Sequence, residues 1–202
     1  MSADLLAALV AFAFVGSITP GPNNAMLLAS SVNFGFARTV PHALGVTTGF
    51  SVMVVAVGMG LGAVFAAVPV LYDVLRYLGA AYLLYLAWRI ANAGPPSEGG
   101  ATRGRPLRFI EAAAFQWVNP KAWVLAVGAT ATYAPPEDFF LNVLGVSAVF
   151  AAVNLPCISV WVGFGVAMRR LLSSARVLRV FNIAMALSLV ASLIPVFWDD
   201  VF

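Results

Sequence analysis

Thr19-Pro20-Gly21-Pro22-Asn23-Asn24 interrupts an apolar run, from Leu5 to Leu28, that is otherwise long enough to cross a bilayer. Its two prolines remove backbone donors, the glycine between them loosens the chain, and the two asparagines bring amide groups to membrane depth. Unpaired backbone groups are costly in hydrocarbon, so such a break persists only where it is buried in protein or lines a wet cavity. The stretch therefore predicts a discontinuous helix that forms a binding site. The alternative is a proline kink, a common feature of membrane helices.

The composition excludes an ordinary soluble domain. Of the 202 residues, 62% are hydrophobic and 9% are charged, and the mean hydropathy is +0.95. The apolar runs are continuous rather than alternating, which excludes a barrel, and each is near the roughly 20 residues that a spanning helix needs. We therefore expect an all-α integral membrane protein, a single domain over residues 1–202 with six transmembrane helices. The predicted spans are Leu5–Leu28, Val40–Val68, Tyr72–Ala91, Phe109–Tyr133, Phe139–Met168 and Val180–Phe197.

Arginines gather on one side of the predicted topology. By the positive-inside rule this side is cytoplasmic, so both termini are expected outside. Scattered basic residues in short loops suffice as topology signals, so we expect the lipid bilayer, and not nucleic acid, as a partner. The basic side carries Arg38, Arg89, Arg103, Arg105, Arg108, Arg169, Arg170, Arg176 and Arg179, and the opposite side carries Asp4, Asp73, Arg76, Glu137, Asp138, Asp199 and Asp200.

A second unusual stretch lies in the fourth predicted span, where Gln116 is followed by Asn119-Pro120-Lys121. At 1.5 Å per residue from the start of the span, Lys121 would lie about 18 Å along the helix, close to mid-membrane. A central lysine costs about 2.5–3.5 kcal/mol on insertion scales, so its ammonium should face the bundle interior or a wet cavity. Snorkelling to an interface is the alternative. Pro120 frees a carbonyl one turn earlier, so a second polar break is predicted.

The two breaks indicate internal symmetry. Each lies in the first helix of one half, and the halves 1–91 and 109–202 are joined by a linker, 92–108, rich in glycine and proline. Such pairs of interrupted helices are typical of transporters, so we predict a 3+3 inverted repeat with broken helices 1 and 4. Asn154 adds a further polar group at depth in the fifth span. Opened helix ends suit an amino-acid zwitterion, because N–H groups face its carboxylate and carbonyls face its ammonium.

The same residues resemble a known family. The resemblance extends over nearly the whole chain and points to the LysE/RhtB amino-acid exporters, most of all to the cysteine/O-acetylserine subgroup, with the homoserine/threonine/leucine exporters next. It implies proton-driven efflux of small amino acids or derivatives across the bacterial inner membrane by a homodimer or other homo-oligomer. The matching segments are Thr19 to Asn24, Gly35-Phe36, Gly45 with Gly49, Gly79 to Trp88, and Phe115 to Lys121.

Asn23 departs from the family pattern, in which Asp often follows Pro-Gly-Pro. No span interior contains Asp or Glu, so a cationic side chain would lack a counter-ion, which favours a neutral substrate. Lys121 is then the candidate proton carrier, because a buried lysine can release and regain a proton as the substrate carboxylate arrives. His42, expected at the cytoplasmic interface, is an ordinary amphipathic residue or a further proton carrier. The predicted substrate-binding residues are Pro20, Gly21, Pro22, Asn23, Asn24, Gln116, Asn119, Pro120, Lys121 and Asn154.

Three other classes of protein stay open. An intramembrane enzyme needs a nucleophile with a base, or a metal site; one histidine, one cysteine and no buried carboxylate leave little to build from, so no catalytic residue, metal site or cofactor is predicted. A divalent-metal or other small-solute exporter would want inward-facing oxygen, sulfur or histidine ligands. A non-transporting helical bundle gives no reason for Lys121 at depth, and would be favoured if Lys121 lay on the lipid face.

Overall fold

The computed structural model describes residues 1–68, 70–93, 104–172 and 174–197. Within these ranges every regular element is a helix, which confirms the predicted all-α class. A π-helical turn, Val57–Leu61, joins α3 to α4, and a 3₁₀ turn, Gln116–Val118, follows α6. The helices are α1 (Ala3–Ile18), α2 (Pro22–Phe34), α3 (Phe36–Ala56), α4 (Gly62–Ala67), α5 (Val70–Ala91), α6 (Phe109–Phe115), α7 (Pro120–Tyr133), α8 (Phe139–Leu171), α9 (Ala175–Ala191) and α10 (Ile194–Phe197).

The first predicted break is present. α1 ends at Ile18, α2 begins at Pro22, and the two helix axes are bent by 53°. Gly21 has a fully extended backbone (φ 179°, ψ 178°), so the chain leaves the helix between α1 and α2. The interruption therefore separates two helices, and the alternative of a proline kink within one helix is wrong. Proline fits the first position of α2 because an N–H there has no acceptor within the helix.

The fourth predicted span is broken in the same way. α6 runs only to Phe115 and tightens into the 3₁₀ turn, and α7 starts at Pro120 after Asn119, whose backbone is extended (φ −89°, ψ 110°). Pro120 again occupies the first position of a helix. Lys121 consequently lies at the N-terminal end of a new helix, so the depth calculated for one unbroken span does not apply to it.

The turn between α2 and α3 is a single residue. Gly35 makes it with φ +83°, in the left-handed region that glycine adopts without strain, and α3 begins directly at Phe36 rather than at Val40. Pro41 therefore lies inside α3, where it removes one helical hydrogen bond. The tight turn holds α2 and α3 side by side, and both helices contribute to the site.

Among the described residues, two helical stretches are long and apolar enough to cross a membrane by themselves, Phe36–Val64 and Phe139–Arg169, and α1 with α2 adds a third if the bent pair is one span. These correspond to the second, fifth and first predicted spans. The sixth predicted span begins earlier than Val180, at Ala175, and is interrupted after Ala191. The six-span count and the inverted repeat stay predictions.

Some predicted features lie outside the described residues. The linker 92–108 is described only at its ends, since residues 94–103, Arg103 among them, fall outside. Asp199 and Asp200 also fall outside. The predicted linker, and the predicted place of Asp199 and Asp200 on the outer side of the membrane, stay predictions.

Within the described part of the chain, the buried apolar residues form two clusters. The first includes Leu27, Leu86 and Phe115, and the second includes Leu9, Met53 and Phe150. α3 crosses α6 so closely that a Cβ on Gly49 would lie 2.5 Å from the Ala113 Cα. Small residues allow such an approach, which places α3 directly behind the second break.

Candidate functional site

The two helix breaks face each other across a small polar cavity, here called the central cavity. Its volume is about 40 Å³, and a single buried water needs about 10–15 Å³. The central cavity therefore has room for a few waters and is too small for an amino acid in this conformation. It is lined by Gly16, Ser17, Gly21, Pro22, Asn23, Asn24, Val46, Phe50, Gln116, Asn119, Lys121, Ala122, Leu125, Asn154 and Ile158.

Lys121 reaches from the second break to the first. Its Nζ donates to the Thr19 carbonyl over 2.9 Å and to the Thr19 hydroxyl over 2.8 Å, with the Pro20 carbonyl at 3.4 Å. These oxygens follow the last residue of α1, where a helix carries partial negative charge. The ammonium of the only lysine in the sequence thus points into the bundle, against the end of α1.

The reverse contact joins the start of α2 to the end of α6. Asn23 Nδ2 donates to Gln116 Oε1 over 2.8 Å, and Gln116 Nε2 donates back to Asn23 Oδ1 over 3.2 Å. Gln116 Nε2 also donates to the Ala112 carbonyl, and its side chain is fully buried. The contacts between the two breaks are therefore crosswise. Lys121, the second residue of α7, contacts the end of α1, and Asn23, the second residue of α2, contacts the end of α6.

Asn154 connects α8 to the first break. Its Oδ1 accepts from the Thr47 hydroxyl over 2.9 Å, and its Nδ2 donates to the Ser17 hydroxyl over 3.2 Å. Further along α8, the Trp161 indole N–H donates to the Ile18 carbonyl over 3.1 Å. α8 therefore supports the end of α1 at two levels.

Two asparagines hold the breaks in shape. Asn24 Nδ2 donates to the carbonyls of Ser17 and Thr19, over 2.9 and 2.8 Å. Asn119 Oδ1 accepts the backbone N–H of Lys121 over 3.2 Å and so caps α7. Both asparagines are buried. They satisfy backbone groups that the breaks would otherwise leave unpaired, which is a structural role as well as a place in the cavity wall.

Three predicted residues are not in the lining of the central cavity. Pro120 begins α7 beside it, and Pro20 lines a separate cavity of about 310 Å³ with Trp161. His42 is only 1% exposed and lines a third cavity, so its side chain is packed inside the bundle, and its position at the cytoplasmic interface stays a prediction. The early start of α3 places His42 in the second turn of a packed helix. His42 and Lys121, the two predicted proton carriers, line different cavities.

Sequence reasoning missed three hydroxyl side chains: Ser17, Thr19 and Thr47. Thr19 directly precedes the prolines, and its position beside a freed helix end was a usable signal for a cation acceptor. Ser17 and Thr47 are small polar residues in apolar runs. Nothing local distinguishes them from hydroxyls that bond their own helix.

The described lining of the central cavity contains one cation and no carboxylate. The ammonium is held by the Thr19 hydroxyl and by the carbonyls of Thr19 and Pro20. The cavity also has amide side chains, two helix N-termini, which favour anions, and two helix C-terminal ends, which favour cations. Among the described residues there is no group of three His, Cys, Asp or Glu side chains that could hold a metal ion. The arrangement suits a small molecule that carries both a negative and a positive group.

Known proteins resemble this chain over nearly its full length. The family model of the LysE type translocators matches residues 14–193, which include both breaks. The cysteine/O-acetylserine efflux proteins of Escherichia coli (strain K12) and Shigella sonnei (strain Ss046) are each 30% identical over 200 residues, 98% of this chain and 100% of each relative. No solved structure matches. These matches confirm the resemblance seen in the sequence, and the chain belongs to the LysE type translocator family.

Proposed function

We propose that the protein exports small neutral amino acids or their derivatives across the bacterial inner membrane. The observation that carries the proposal is the crosswise contact of the two helix breaks around a polar cavity whose described lining has an ammonium and no carboxylate. Membership of the translocator family supports transport rather than an enzymatic reaction. The names of the relatives make cysteine and O-acetylserine the first candidate substrates.

Lys121 is the proposed partner of the substrate carboxylate. In the closed structure its ammonium is held by oxygens of Thr19 and Pro20, and a carboxylate would replace these with a charge-assisted hydrogen bond. The amides of Asn23 and Gln116 then become available to the polar groups of the substrate. A lysine-like or arginine-like side chain would find no counter-ion in the described lining, hence the preference for neutral substrates.

Substrate entry requires the helices to move, because the central cavity is too small for an amino acid. The Asn23–Gln116 pair joins the two breaks and must separate when the cavity opens. We propose alternating access, in which one half rocks against the other around the central cavity, in a six-span inverted repeat with both termini outside. The equivalent positions of Pro22 and Pro120, each first in its helix, support this symmetry.

We propose that export is coupled to protons through Lys121. A lysine that exchanges its Thr19 contacts for a substrate carboxylate changes its electrostatic surroundings in each transport cycle, and this links its proton to the substrate. His42 lines a different cavity from Lys121, and its role as a further proton carrier stays a prediction.

Transport into inside-out membrane vesicles tests the proposal. Radiolabelled O-acetylserine, cysteine, threonine, homoserine and leucine are offered with and without an imposed proton gradient. We expect gradient-dependent accumulation of at least one of them by the wild type, and its loss in Asn23→Ala and Lys121→Ala.

Two variants serve as matched controls. Asn142→Ala removes a buried asparagine that bonds the Pro135 and Glu137 carbonyls, far from the breaks in sequence, and Arg176→Ala removes an exposed cation. Both should transport. If the wild type accumulates none of the five amino acids, the proposed function is wrong.

A further inference from the structure

A cavity of about 300 Å³ lies between α2, α3 and α5, with Arg89 and Arg105 in its wall; we call it the arginine-side cavity. Its volume is at the lower end of the range for small-molecule sites, about 300–1,000 Å³. The wall is largely apolar, with Met26, Leu86 and Leu107 among its residues. Mostly apolar walls with a few polar groups are typical of a ligand site.

His42 lines this cavity with two unsatisfied nitrogens. Its side chain is 1% exposed, and neither Nδ1 nor Nε2 has a hydrogen-bond partner among the described residues. A neutral imidazole has one donor and one acceptor, and leaving both unpaired in an apolar interior is unfavourable. The charged groups near enough to act on the ring are Arg89 and Glu111, but Glu111 is occupied by its ion pair with Arg105. The imidazole therefore lacks a partner, and because both nitrogens are covered by neighbouring atoms, a ligand supplies one only after a small movement of the ring.

Two other groups of the wall have free hydrogen-bonding capacity. The Thr39 hydroxyl donates to the Gly35 carbonyl over 2.8 Å, so in its 2.9 Å contact with Ser30 it must accept, and the Ser30 oxygen keeps lone pairs for a ligand. The Arg89 guanidinium donates one N–H to the Arg105 carbonyl over 2.9 Å. A guanidinium has five N–H donors, so others remain for an anion.

The arginine-side cavity and the central cavity lie along the same pair of helices. On α2, Asn23 lines the central cavity and Met26 lines the arginine-side cavity. On α3, His42 lines the arginine-side cavity and Val46 the central one. Residues three or four apart share a helix face, so the two cavities are separated by about one turn, or roughly 5 Å.

We infer that the arginine-side cavity binds a free amino acid as a zwitterion before it enters the central cavity, an inference that rests on the proposed export function. The carboxylate is bound by Arg89, the ammonium by a His42 nitrogen and the Ser30 oxygen, and an apolar side chain lies against Met26 and Leu86. The site faces the arginine-rich side, which is the side from which an exporter takes its substrate.

Two variants separate this site from the central one. His42→Phe keeps a ring of similar shape without hydrogen-bonding groups, and Arg89→Gln removes the charge; Arg176→Gln is the matched control for an exposed arginine. Transport is measured in inside-out vesicles as a function of external O-acetylserine and leucine concentration. We expect the KM to rise about tenfold in both variants, the loss of roughly one charge-assisted hydrogen bond. The maximal rate should stay within about twofold, because transition through the central cavity is unchanged.

Equilibrium dialysis of purified protein with radiolabelled leucine, leucinamide and 4-methylpentanoate supplies a readout that does not depend on transport. We expect leucine to bind more tightly than either analogue, since each lacks one charged group, and its affinity to fall in both variants. An unchanged KM in both, or a fall in maximal rate with constant KM, overturns the inference. The wild type could fail to transport any amino acid and still bind leucine more tightly than either analogue, with weaker binding in both variants. In that case the proposed export function is wrong and the binding site is supported. If the variants alter only the retention of phosphatidylglycerol, a lipid headgroup occupies the site and the inference is wrong.

Discussion

The Lys121 ammonium lies 2.8 Å from the hydroxyl of Thr19, a residue 102 positions earlier in the chain. The Asn23 side chain, in the first break, likewise bonds the Gln116 side chain, in the second. Each helix break therefore has part of its polar groups satisfied by the other half of the chain. Opening the cavity exposes those groups unless a substrate takes them over, which makes an empty open state costly.

Replacing Lys121 by arginine should separate substrate binding from proton coupling. Arginine keeps the positive charge but does not release its proton in proteins. We expect Lys121→Arg to retain exchange of labelled for unlabelled substrate and to lose accumulation driven by a proton gradient, both measured in inside-out vesicles. Accumulation at the wild-type level under the gradient would show that Lys121 does not carry the proton.

The single lysine should report on the cavity through chemical labelling. The sequence has one lysine side chain for an amine-reactive ester, Lys121. We expect Lys121 to react slowly, because its Nζ is held by Thr19, to react faster in Thr19→Val, and to be protected by transported amino acids. Mass spectrometry of the labelled peptide gives the rate, with the denatured protein as the reference for an accessible lysine. A rate equal to that of the denatured protein, unaffected by Thr19→Val, would contradict the contact between Lys121 and Thr19.

Asn23 and Gln116 should be energetically coupled. Removing Asn23 leaves the buried Gln116 amide without this partner, and removing Gln116 leaves the half-buried Asn23 without one, at a cost of about 1–3 kcal/mol for the buried group. We expect Asn23→Ala and Gln116→Ala each to lower the free energy of unfolding, and the double variant to lose less than the sum, with a coupling of about 0.5–3 kcal/mol. Denaturant unfolding in detergent measures all four proteins. Additive losses would mean that the pair does not hold the breaks together.

Two glycines should respond oppositely to alanine. A Cβ on Gly49 would meet the Ala113 carbonyl oxygen at 2.6 Å, so α3 and α6 must move apart, and we expect a loss of about 1–3 kcal/mol. Gly163, in α8, has open space around its Cβ position, and alanine there should stabilise by about 0.4–1 kcal/mol. Thermal unfolding of Gly49→Ala and Gly163→Ala compares them directly; equal melting temperatures would contradict the close α3–α6 contact.

The sequence predicts the breaks well because their cause is local. Proline lacks an N–H, which the first position of a helix does not need, so Pro22 and Pro120 mark helix starts wherever the chain lies. The crosswise contacts are tertiary: no spacing rule relates Asn23 to Gln116, and the two were predicted only as members of one polar lining. The burial of His42 could not be predicted either. It depends on the one-residue turn at Gly35, which lets α3 begin at Phe36 rather than at Val40.

The turn at Gly35 has a mechanical consequence. A single residue contributes only two soft backbone dihedral angles, so a tilt of α2 is either absorbed at that joint or passed directly to α3. α2 carries Asn23 at the central cavity, and α3 carries His42 at the arginine-side cavity. A tilt of α2 that is not absorbed at Gly35 therefore moves α3, and a movement that widens the central cavity then also changes the wall of the arginine-side cavity.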